Sequence, residues 1–341
     1  MKPFYLIFSL ILGFLTGCKT TGQTPVEIVD HYYQSGKFNG SILIAQNNQV
    51  VIDTVFGYRD LNNKTALNKE IPFYIASLSK PITAIAITLM AEKGLLSFND
   101  KAVKFVENLP AYTRNMTIKQ LLNHTSGIRD YENVLKKKGL SNTDVVYWLH
   151  GQDGLAFEPG TKFQYSNSGY IILSLIIEKI SKMTYAEFLK QNIFDPLQMH
   201  HTTVYESGTV IASKAIGYNK DKEVDDYSIL TTGDGGIYST AEDLFKLDKA
   251  LRTNQLLSEE RTKQLYQTPV LKDGTSSKYG AGWFIKKIDG DMIAQHTGGL
   301  AGFRSLFWRN LKNGYTIIAL TNQGDAFPVF DFLNDITETL K

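Results

Sequence analysis

The chain has 341 residues, of which 43% are hydrophobic and 12% are aromatic, so it can bury a large core in one or two domains. Its formal net charge of +2 is close to neutral and no basic block stands out, which argues against a nucleic-acid partner. Neither a His-Glu-x-x-His pattern nor a phosphate-binding glycine loop occurs, so we expect no metal and no cofactor. No feature of the sequence predicts a protein partner.

The N-terminus has the pattern of a lipoprotein signal. Lys2 supplies a positive charge, and residues 4–15 form an apolar run that is too short to span a bilayer. The run ends in Leu15-Thr16-Gly17-Cys18, which resembles the lipobox of bacterial lipoproteins. We therefore expect residues 1–17 to be a signal peptide, Cys18 to carry lipid and residues 18–24 to be a tether. This places the protein in the bacterial cell envelope, lipid-anchored to a membrane on the extracytoplasmic side. The alternative is an ordinary signal peptide with an incidental cysteine.

Strand patterns occur near both ends of the chain, and helical patterns occupy the middle. Strands are predicted for a hairpin over 40–58 and then over 280–287, 292–295, 303–309 and 315–321. Apolar spacing typical of helices is found over 81–93, 118–122, 170–180, 185–194, 241–251 and about 327–340. Ser239 or Thr240 is the expected N-cap of the helix over 241–251.

These patterns predict an α+β fold with an inserted lobe. The two early strands and three of the late ones would form a five-stranded antiparallel sheet flanked by helices. Residues 25–80 and 275–341 would make this sheet lobe, and residues 81–274 would make a mainly helical lobe inserted into it. Residues 25–341 would together form one unit, with a site between the lobes that draws residues from both.

The first chemical motif is Ser77-Leu78-Ser79-Lys80. Residues at i and i+3 share a helix face, so Lys80 is expected beside the Ser77 hydroxyl. Pro81 is tolerated only if the helix begins just before it, which places Ser77 at an N-terminal turn whose free N–H groups favour an oxyanion. A neutral Lys80 amine, its pKa lowered by burial, can take the serine proton. A serine three residues before a lysine is also expected by chance about once in such a chain.

The second motif is Tyr165-Ser166-Asn167. In an extended segment, residues two apart face the same side, so a phenol and an amide would point into one site. A phenolate near Lys80 can act as a base, and an asparagine can hydrogen-bond a substrate amide. Tyr131-Glu132-Asn133 has the same spacing. We prefer Tyr165, because Pro159-Gly160 precedes it and a long apolar helix follows.

The third motif, His296-Thr297-Gly298-Gly299, ends a predicted strand. Thr297 can bind a carboxylate or carbonyl group, and Gly298 would let a substrate backbone approach closely. The N–H of Gly299 can complete an oxyanion hole begun by the N–H of Ser77. His296 is expected to contact the substrate without transferring protons. A turn histidine followed by a capping threonine is the structural alternative.

Together the three motifs resemble those of the serine β-lactamase and D-Ala-D-Ala peptidase superfamily. They resemble in particular the branch that holds the class C β-lactamases, D-amino-acid peptidases and related esterases, and the resemblance covers nearly the whole mature chain. Four further segments look like recurring structural segments of that branch: residues 121–127, 158–161, 235–240 and 279–283. We read His124, which lies in the first of these segments, as structural.

The resemblance implies an acyl-enzyme mechanism. Ser77 would be the acylated nucleophile, Lys80 and Tyr165 would share proton transfer, and Asn167 would help to position the substrate. Class C β-lactamases usually carry Lys-Thr-Gly as the third motif, whereas this chain has His296, as in the D-peptidases. A neutral histidine attracts a carboxylate less than a fixed ammonium does, which argues against efficient β-lactamase activity.

The sequence therefore predicts a serine hydrolase that cleaves amide or ester bonds in a small-molecule or peptide substrate. A peptidase acting on D-amino-acid or peptidoglycan-type peptides is the first expectation, and an esterase or weak β-lactamase is the alternative. A non-catalytic penicillin-binding or sensor protein is the alternative of another class. No Gly-x-Ser-x-Gly elbow is present, which argues against an α/β-hydrolase.

Overall fold

The computed structural model describes residues 22–132, 134 and 137–340, which form the predicted α+β fold. The expected signal peptide, Cys18 and most of the tether lie outside the described residues. Within the described ranges, no helix is both long and apolar enough to cross a membrane. The helices are α1 (Pro25–Gln34), α2 (Ser79–Glu92), α3 (Ile118–Leu122), α4 (Asn142–His150), α5 (Asn167–Ser181), α6 (Tyr185–Leu189), α7 (Ala241–Arg252), α8 (Glu259–Leu265) and α9 (Val329–Glu338). The strands are β1 (Gly40–Gln46), β2 (Gln49–Phe56), β3 (Tyr58–Asp60), β4 (Thr65–Ala66), β5 (Phe73–Tyr74), β6 (Thr203–Val204), β7 (Ile237–Ser239), β8 (Phe284–Ile288), β9 (Asp291–Leu300), β10 (Phe303–Asn310) and β11 (Tyr315–Thr321).

One antiparallel sheet joins the two ends of the chain, as predicted, but it has six strands instead of five. Its strand order is β2-β1-β11-β10-β9-β8. The extra strand arises because β8 and β9 form a complete hairpin in addition to β10 and β11. Asp289 and Gly290 turn this hairpin with φ values of 51° and 84°, the left-handed pair that a tight two-residue turn requires.

Alternation along the strands divides the core between the two faces of the sheet. Ile42 and Ile44 of β1 pack with α1 and α9, whereas Leu43 and Ala45 face the larger cluster that also contains α2, α5 and α7. Ile317 and Ile318 of β11 alternate in the same way. Because side chains on a strand repeat with period two, the nearly continuous apolar sequence of β1 and β11 is explained by burial on both faces.

Several helices differ from their predicted form. The helix predicted over 185–194 divides into α6 and a π-helical turn over Lys190–Phe194. Helices α1, α4 and α8 were not predicted, although Thr24 and Glu27 form a capping box at the start of α1. Their short length gives few apolar repeats, so the capping residues were the stronger signal. Thr240 caps α7, as expected, by accepting from the Asp243 N–H at 3.2 Å.

Helix α7 comes from the predicted helical lobe but packs against the sheet. Its Asp248 is 1% exposed and forms an ion pair with Arg309 of β10, which is also 1% exposed. The second carboxylate oxygen accepts from Arg252 at 3.0 Å and from the Thr316 hydroxyl at 2.8 Å. A buried ion pair is tolerated only when its polar atoms are satisfied, so these bonds fix α7 against β10 and β11.

We expect Asp248→Asn to lower the free energy of unfolding by about 3–5 kcal/mol, because it leaves the buried Arg309 charge without its counter-ion. Chemical denaturation measures this change. The matched control is Glu242→Gln on the same helix, whose carboxylate makes only an exposed pair with Lys246 at 3.5 Å. The control should change the free energy by less than about 0.5 kcal/mol. Equal effects of the two variants would contradict a central role for Asp248.

Candidate active site

Ser77 lies in a single 3₁₀ turn, Ala76–Leu78, directly before α2. The preceding Ala76 has a left-handed φ of 48°, and the Leu78 N–H donates to the Ile75 carbonyl at 3.1 Å, so the chain turns sharply into the helix. Ser77 is partly exposed, whereas the helix behind it is buried over almost its whole length. The predicted placement of Ser77 at a helix N-terminus is therefore confirmed.

Lys80 is 0% exposed, and each of its ammonium hydrogens has an acceptor. Its Nζ lies 3.0 Å from the Ser77 Oγ, 2.7 Å from the Asn167 Oδ1 and 2.8 Å from the Asp234 carbonyl oxygen. This geometry suits a protonated amine that donates to the serine. A neutral Lys80, as the sequence analysis expected, also fits this geometry, because its two hydrogens can donate to Asn167 and Asp234 while its lone pair accepts from the Ser77 hydroxyl. A second group near the serine can then share the proton.

Tyr165 supplies that second group. It lies in the extended segment before α5, and the Lys80 Nζ is 4.9 Å from the centre of its ring. Burial raises the pKa of the Tyr165 phenol, while the positive charge of Lys80 and polar contacts with Lys80 and Ser77 act in the opposite direction. The structure thus brings Ser77, Lys80 and Tyr165 together, as predicted.

Asn167 is the first residue of α5, and its amide is fully engaged. Its Oδ1 accepts from Lys80, and its Nδ2 donates to carboxylate oxygens of Glu132 and, at 3.3 Å, of Asp130. The Asp130 carboxylate also accepts from the Asn167 backbone N–H at 2.8 Å and so caps the helix. A substrate carbonyl group must displace a carboxylate before it can bind this amide, so contact between Asn167 and the substrate stays a prediction.

Three carboxylates beside Lys80 were not predicted: those of Asp130, Glu132 and Asp234. Asp234 is 7% exposed, and its Oδ2 accepts from the Tyr131 hydroxyl at 2.7 Å. Burial raises the pKa of Asp234 to about 6, against the lowering effects of Lys80 and Tyr131. Burial likewise raises the pKa of Glu132. Asp130 and Glu132 lie in one segment and Asp234 in another, and no sequence spacing links either segment to Lys80, because they meet only in the folded chain.

Tyr131, which shares the local pattern of Tyr165, has a different place. Its hydroxyl bonds to Asp234 and lies 3.1 Å from the Thr231 hydroxyl, and the side chain is 2% exposed. The preference for Tyr165 as the tyrosine beside Lys80 therefore agrees with the geometry. Asn133, the third residue of this pattern, lies outside the described residues.

The third motif lies inside β9 and not at its end. A Cβ atom on Gly298 would be 2.2 Å from the Ile75 carbonyl oxygen, 2.3 Å from the Ser305 Oγ and 3.1 Å from the Ser77 N. Glycine is therefore required because the turn carrying Ser77 packs directly on the strand. This differs from the expectation that Gly298 makes room for a substrate. Thr297 and Gly299 flank this contact and are more exposed than Gly298.

His296 is 2% exposed, and both of its ring nitrogens bond to the protein. Its Nδ1 lies 2.7 Å from the Thr297 carbonyl oxygen, so Nδ1 carries the hydrogen and Nε2 accepts from the Tyr279 hydroxyl at 3.0 Å. Burial and the charge of Lys80 lower the pKa of His296 to about 3. The imidazole is thus neutral and has no nitrogen free for a ligand, in contrast to the predicted contact with the substrate.

Comparison with known proteins agrees with this arrangement. The family model for β-lactamase matches residues 27–336. Penicillin-binding protein 4* of Bacillus subtilis is 34% identical over 326 residues, which cover 88% of this chain and 71% of that protein. Protein flp of Staphylococcus aureus is 31% identical over 318 residues, which cover 88% of this chain. The matched part is 63% of flp, so the chain spans less than two thirds of that relative.

Solved structures have the same fold. A penicillin-binding protein from Bacillus halodurans is 27% identical with a TM-score of 0.81, and the match covers 91% of this chain and 98% of that one. The D-amino acid amidase of Ochrobactrum anthropi is 22% identical with a TM-score of 0.78 and covers 92% and 96%, which supports the fold alone. From the family match over most of its length and the relative at 34% identity, this chain belongs to the β-lactamase family, which has the serine β-lactamase and transpeptidase fold.

Proposed function

We propose that the protein is a serine hydrolase that cleaves amide or ester bonds through an acyl-enzyme. The observation that carries the proposal is the Lys80 Nζ at 3.0 Å from the Ser77 Oγ, at the N-terminus of a buried helix and beside the Tyr165 ring. This is the arrangement of a nucleophile with an adjacent base. Membership of a family of serine hydrolases supports the assignment.

In the proposed reaction, Tyr165 and Lys80 together accept the proton of Ser77 as its oxygen attacks the substrate carbonyl carbon. The N–H groups of Ser77 and Gly299 are the predicted donors to the resulting oxyanion. The carbon–nitrogen or carbon–oxygen bond then breaks, and the leaving amine or alcohol takes the proton. Water hydrolyses the serine ester by the same route in reverse, with the same pair as base.

The charges around the site favour one class of substrate. Asp130, Glu132 and Asp234 lie near Lys80, and the neutral His296 occupies the place at which class C β-lactamases usually carry a lysine. Like charges repel, so a substrate carboxylate near this cluster is disfavoured and a free ammonium group is favoured. We therefore propose a peptidase that acts on D-amino-acid or peptidoglycan-type peptides, in preference to a β-lactamase.

One relative, a penicillin-binding protein, supports this substrate class by name only. An esterase is the second candidate, since neutral ester substrates are indifferent to the carboxylates. A non-catalytic penicillin-binding or sensor protein is the candidate of another class, and it requires acylation of Ser77 without turnover. Lipid attachment at Cys18 and a place in the cell envelope stay predictions.

Ser77→Ala should lower kcat by about 10³-fold or more, because the nucleophile is removed. Its thermal unfolding should match the wild type, since a partly exposed hydroxyl is lost. Intact mass spectrometry after treatment with a fluorophosphonate should show one adduct on the wild type and none on the variant. Full labelling of the variant would place the nucleophile elsewhere. Labelling of the wild type without turnover of any peptide or ester would favour the sensor.

Lys80 and Tyr165 should behave as one unit in catalysis. Lys80→Ala and Tyr165→Phe should each lower kcat about 10²-fold or more, and the double variant should be little worse than the poorer single variant. The control is Tyr32→Phe on the opposite face of the sheet, which also loses a tyrosine hydrogen bond, to Asp335 at 2.7 Å. Multiplicative losses in the double variant would show that the two side chains act independently.

Substrate charge should decide the rate in a graded way. Among D-phenylalanine p-nitroanilides with a free amine, an N-acetyl or an N-succinyl group, kcat/KM should fall in that order. Glu132→Gln should reduce the ratio of kcat/KM between the free-amine and N-succinyl substrates by roughly three- to tenfold, since it removes one negative charge. The ratio of kcat/KM between the free-amine and N-succinyl substrates should also be smaller at pH 5 than at pH 7, because the carboxyl of Asp234, with a pKa of about 6, is mostly protonated at pH 5 while the substrate amine is charged at both pH values. An N-succinyl substrate cleaved as fast as the free amine would contradict the proposed substrate class.

A further inference from the structure

The turn over residues 123–127 is fastened to the segment that leads into Tyr165. His124 has a left-handed φ of 57°, which is uncommon for a residue other than glycine. A Cβ atom on Gly127 would lie 2.1 Å from the Phe157 carbonyl oxygen, so the two segments are in direct contact. Three backbone N–H groups of the second segment donate to the turn, from Ala156 to Gly127 at 2.8 Å, from Gly160 to Thr125 at 2.8 Å and from Gln164 to His124 at 3.0 Å.

The imidazole of His124 adds a fourth bond to this series. Its Nδ1 lies 3.2 Å from the Ser166 backbone nitrogen. Because that N–H is a donor, Nδ1 has no hydrogen, and the hydrogen of the neutral ring is on Nε2. Burial and then the charge of Lys80 hold the pKa of His124 well below its usual range, so the ring keeps this neutral form.

The Nε2 of His124 is buried and has no hydrogen-bond partner in the described residues. A buried donor without an acceptor is destabilising, so histidine is unfavourable at this position if packing alone is required. A leucine or phenylalanine would fill similar volume without that cost. The bond from the Ser166 N–H to Nδ1 is the feature that an apolar side chain cannot supply.

The two bonds to His124 lie on either side of Tyr165. The carbonyl of His124 holds the N–H of Gln164, and its ring holds the N–H of Ser166. The same ring packs against the Tyr165 ring, with centroids 4.3 Å apart and an angle of 37°. On the side of the reacting groups, the Lys80 Nζ is 4.9 Å from the Tyr165 centroid. His124 thus contacts Tyr165 through its ring and holds the backbone on both sides of it.

We infer that His124 is a positioning residue that sets the Tyr165 phenol against Ser77 and Lys80. It touches none of the reacting atoms and acts through Tyr165 alone. The inference rests on the proposed function, in which Tyr165 takes part in proton transfer. Since small displacements of a catalytic group can cost about 10²-fold in rate, loss of this support is expected to appear in kcat.

Two variants separate positioning from packing. His124→Leu keeps the volume but removes the acceptor, whereas His124→Asn keeps an oxygen acceptor near the position of Nδ1 and tolerates a left-handed φ. On a p-nitrophenyl ester, His124→Leu should lower kcat about tenfold or more while KM changes less than about threefold. His124→Asn should recover a large part of the loss. Equal losses in both variants would overturn the inference.

A double variant tests whether the effect passes through Tyr165. In the Tyr165→Phe background, His124→Leu should lower kcat less than about twofold further. A full further tenfold loss would show that His124 acts by another route. Normal activity of Tyr165→Phe alone would refute the proposed mechanism, whereas an impaired Tyr165→Phe with a normal His124→Leu would refute only the positioning role.

Stability needs its own control, because His124 is buried. Ile336→Ala removes buried volume in α9, on the opposite face of the sheet, and lowers the unfolding temperature without touching the site. Rates are compared per folded molecule, by titration of the nucleophile with a fluorophosphonate. If Ile336→Ala loses as much kcat as His124→Leu at a matched unfolding temperature, lower stability alone accounts for the effect of His124→Leu and the inference is refuted. If His124→Leu does not fold, His124→Asn takes its place in the cycle, and a kcat loss in His124→Asn that multiplies in full with the loss in Tyr165→Phe would refute the inference.

Discussion

The burial of Lys80 is the constraint on which the rest of the site depends. An ammonium group without solvent is tolerated only when acceptors surround it, and here Ser77, Asn167 and Asp234 provide one each. These acceptors come from the turn before α2, from α5 and from the segment before β7, so one charged group links three parts of the chain that are distant in sequence. The reactive arrangement and the internal stability of this lobe therefore have the same origin.

A second constraint brings this cluster to the sheet. The turn that holds Ser77 packs on β9 at Gly298, and the Ser305 hydroxyl donates to the Ile75 carbonyl at 2.8 Å. Any side chain at Gly298 would separate the strand from the turn. The nucleophile is thus held by the buried helix α2 that follows it and by β9, which packs against its turn. Rigid elements of this kind position catalytic groups more precisely than loops do.

The sequence predicted the parts of the fold that have strong local signals. The long apolar helices, the sheet built from both chain ends and the Ser77 turn were found, because spacing and turn residues determine them locally. The sheet was predicted to have five strands instead of six, although the turn at Asp289 and Gly290 between β8 and β9 was recognised. Helices α1, α4 and α8 were missed because short helices depend more on caps than on apolar repeats.

The site shows the limit of reading motifs along the chain. Ser77, Lys80, Tyr165 and Asn167 were found because each motif has fixed spacing. No local pattern indicates that His296 turns inward to Tyr279, since the direction of a side chain on a strand depends on register. Nor did it reveal the carboxylates, which matter only through their distances to Lys80.

The structure also shows how two segments that resemble recurring segments of the family, residues 121–127 and 158–161, act together. The turn over 123–127 and the segment over 156–166 share a series of hydrogen bonds whose last two members lie on either side of Tyr165. Each segment alone has the sequence of an ordinary loop, yet the contact between them determines the position of the Tyr165 phenol. The same principle applies to Asp130, which caps α5 and thereby fixes the start of the helix at Asn167. Residues that never touch a substrate can thus decide the geometry of those that do, and the precision of the site is a property of its supporting loops as much as of its reactive groups.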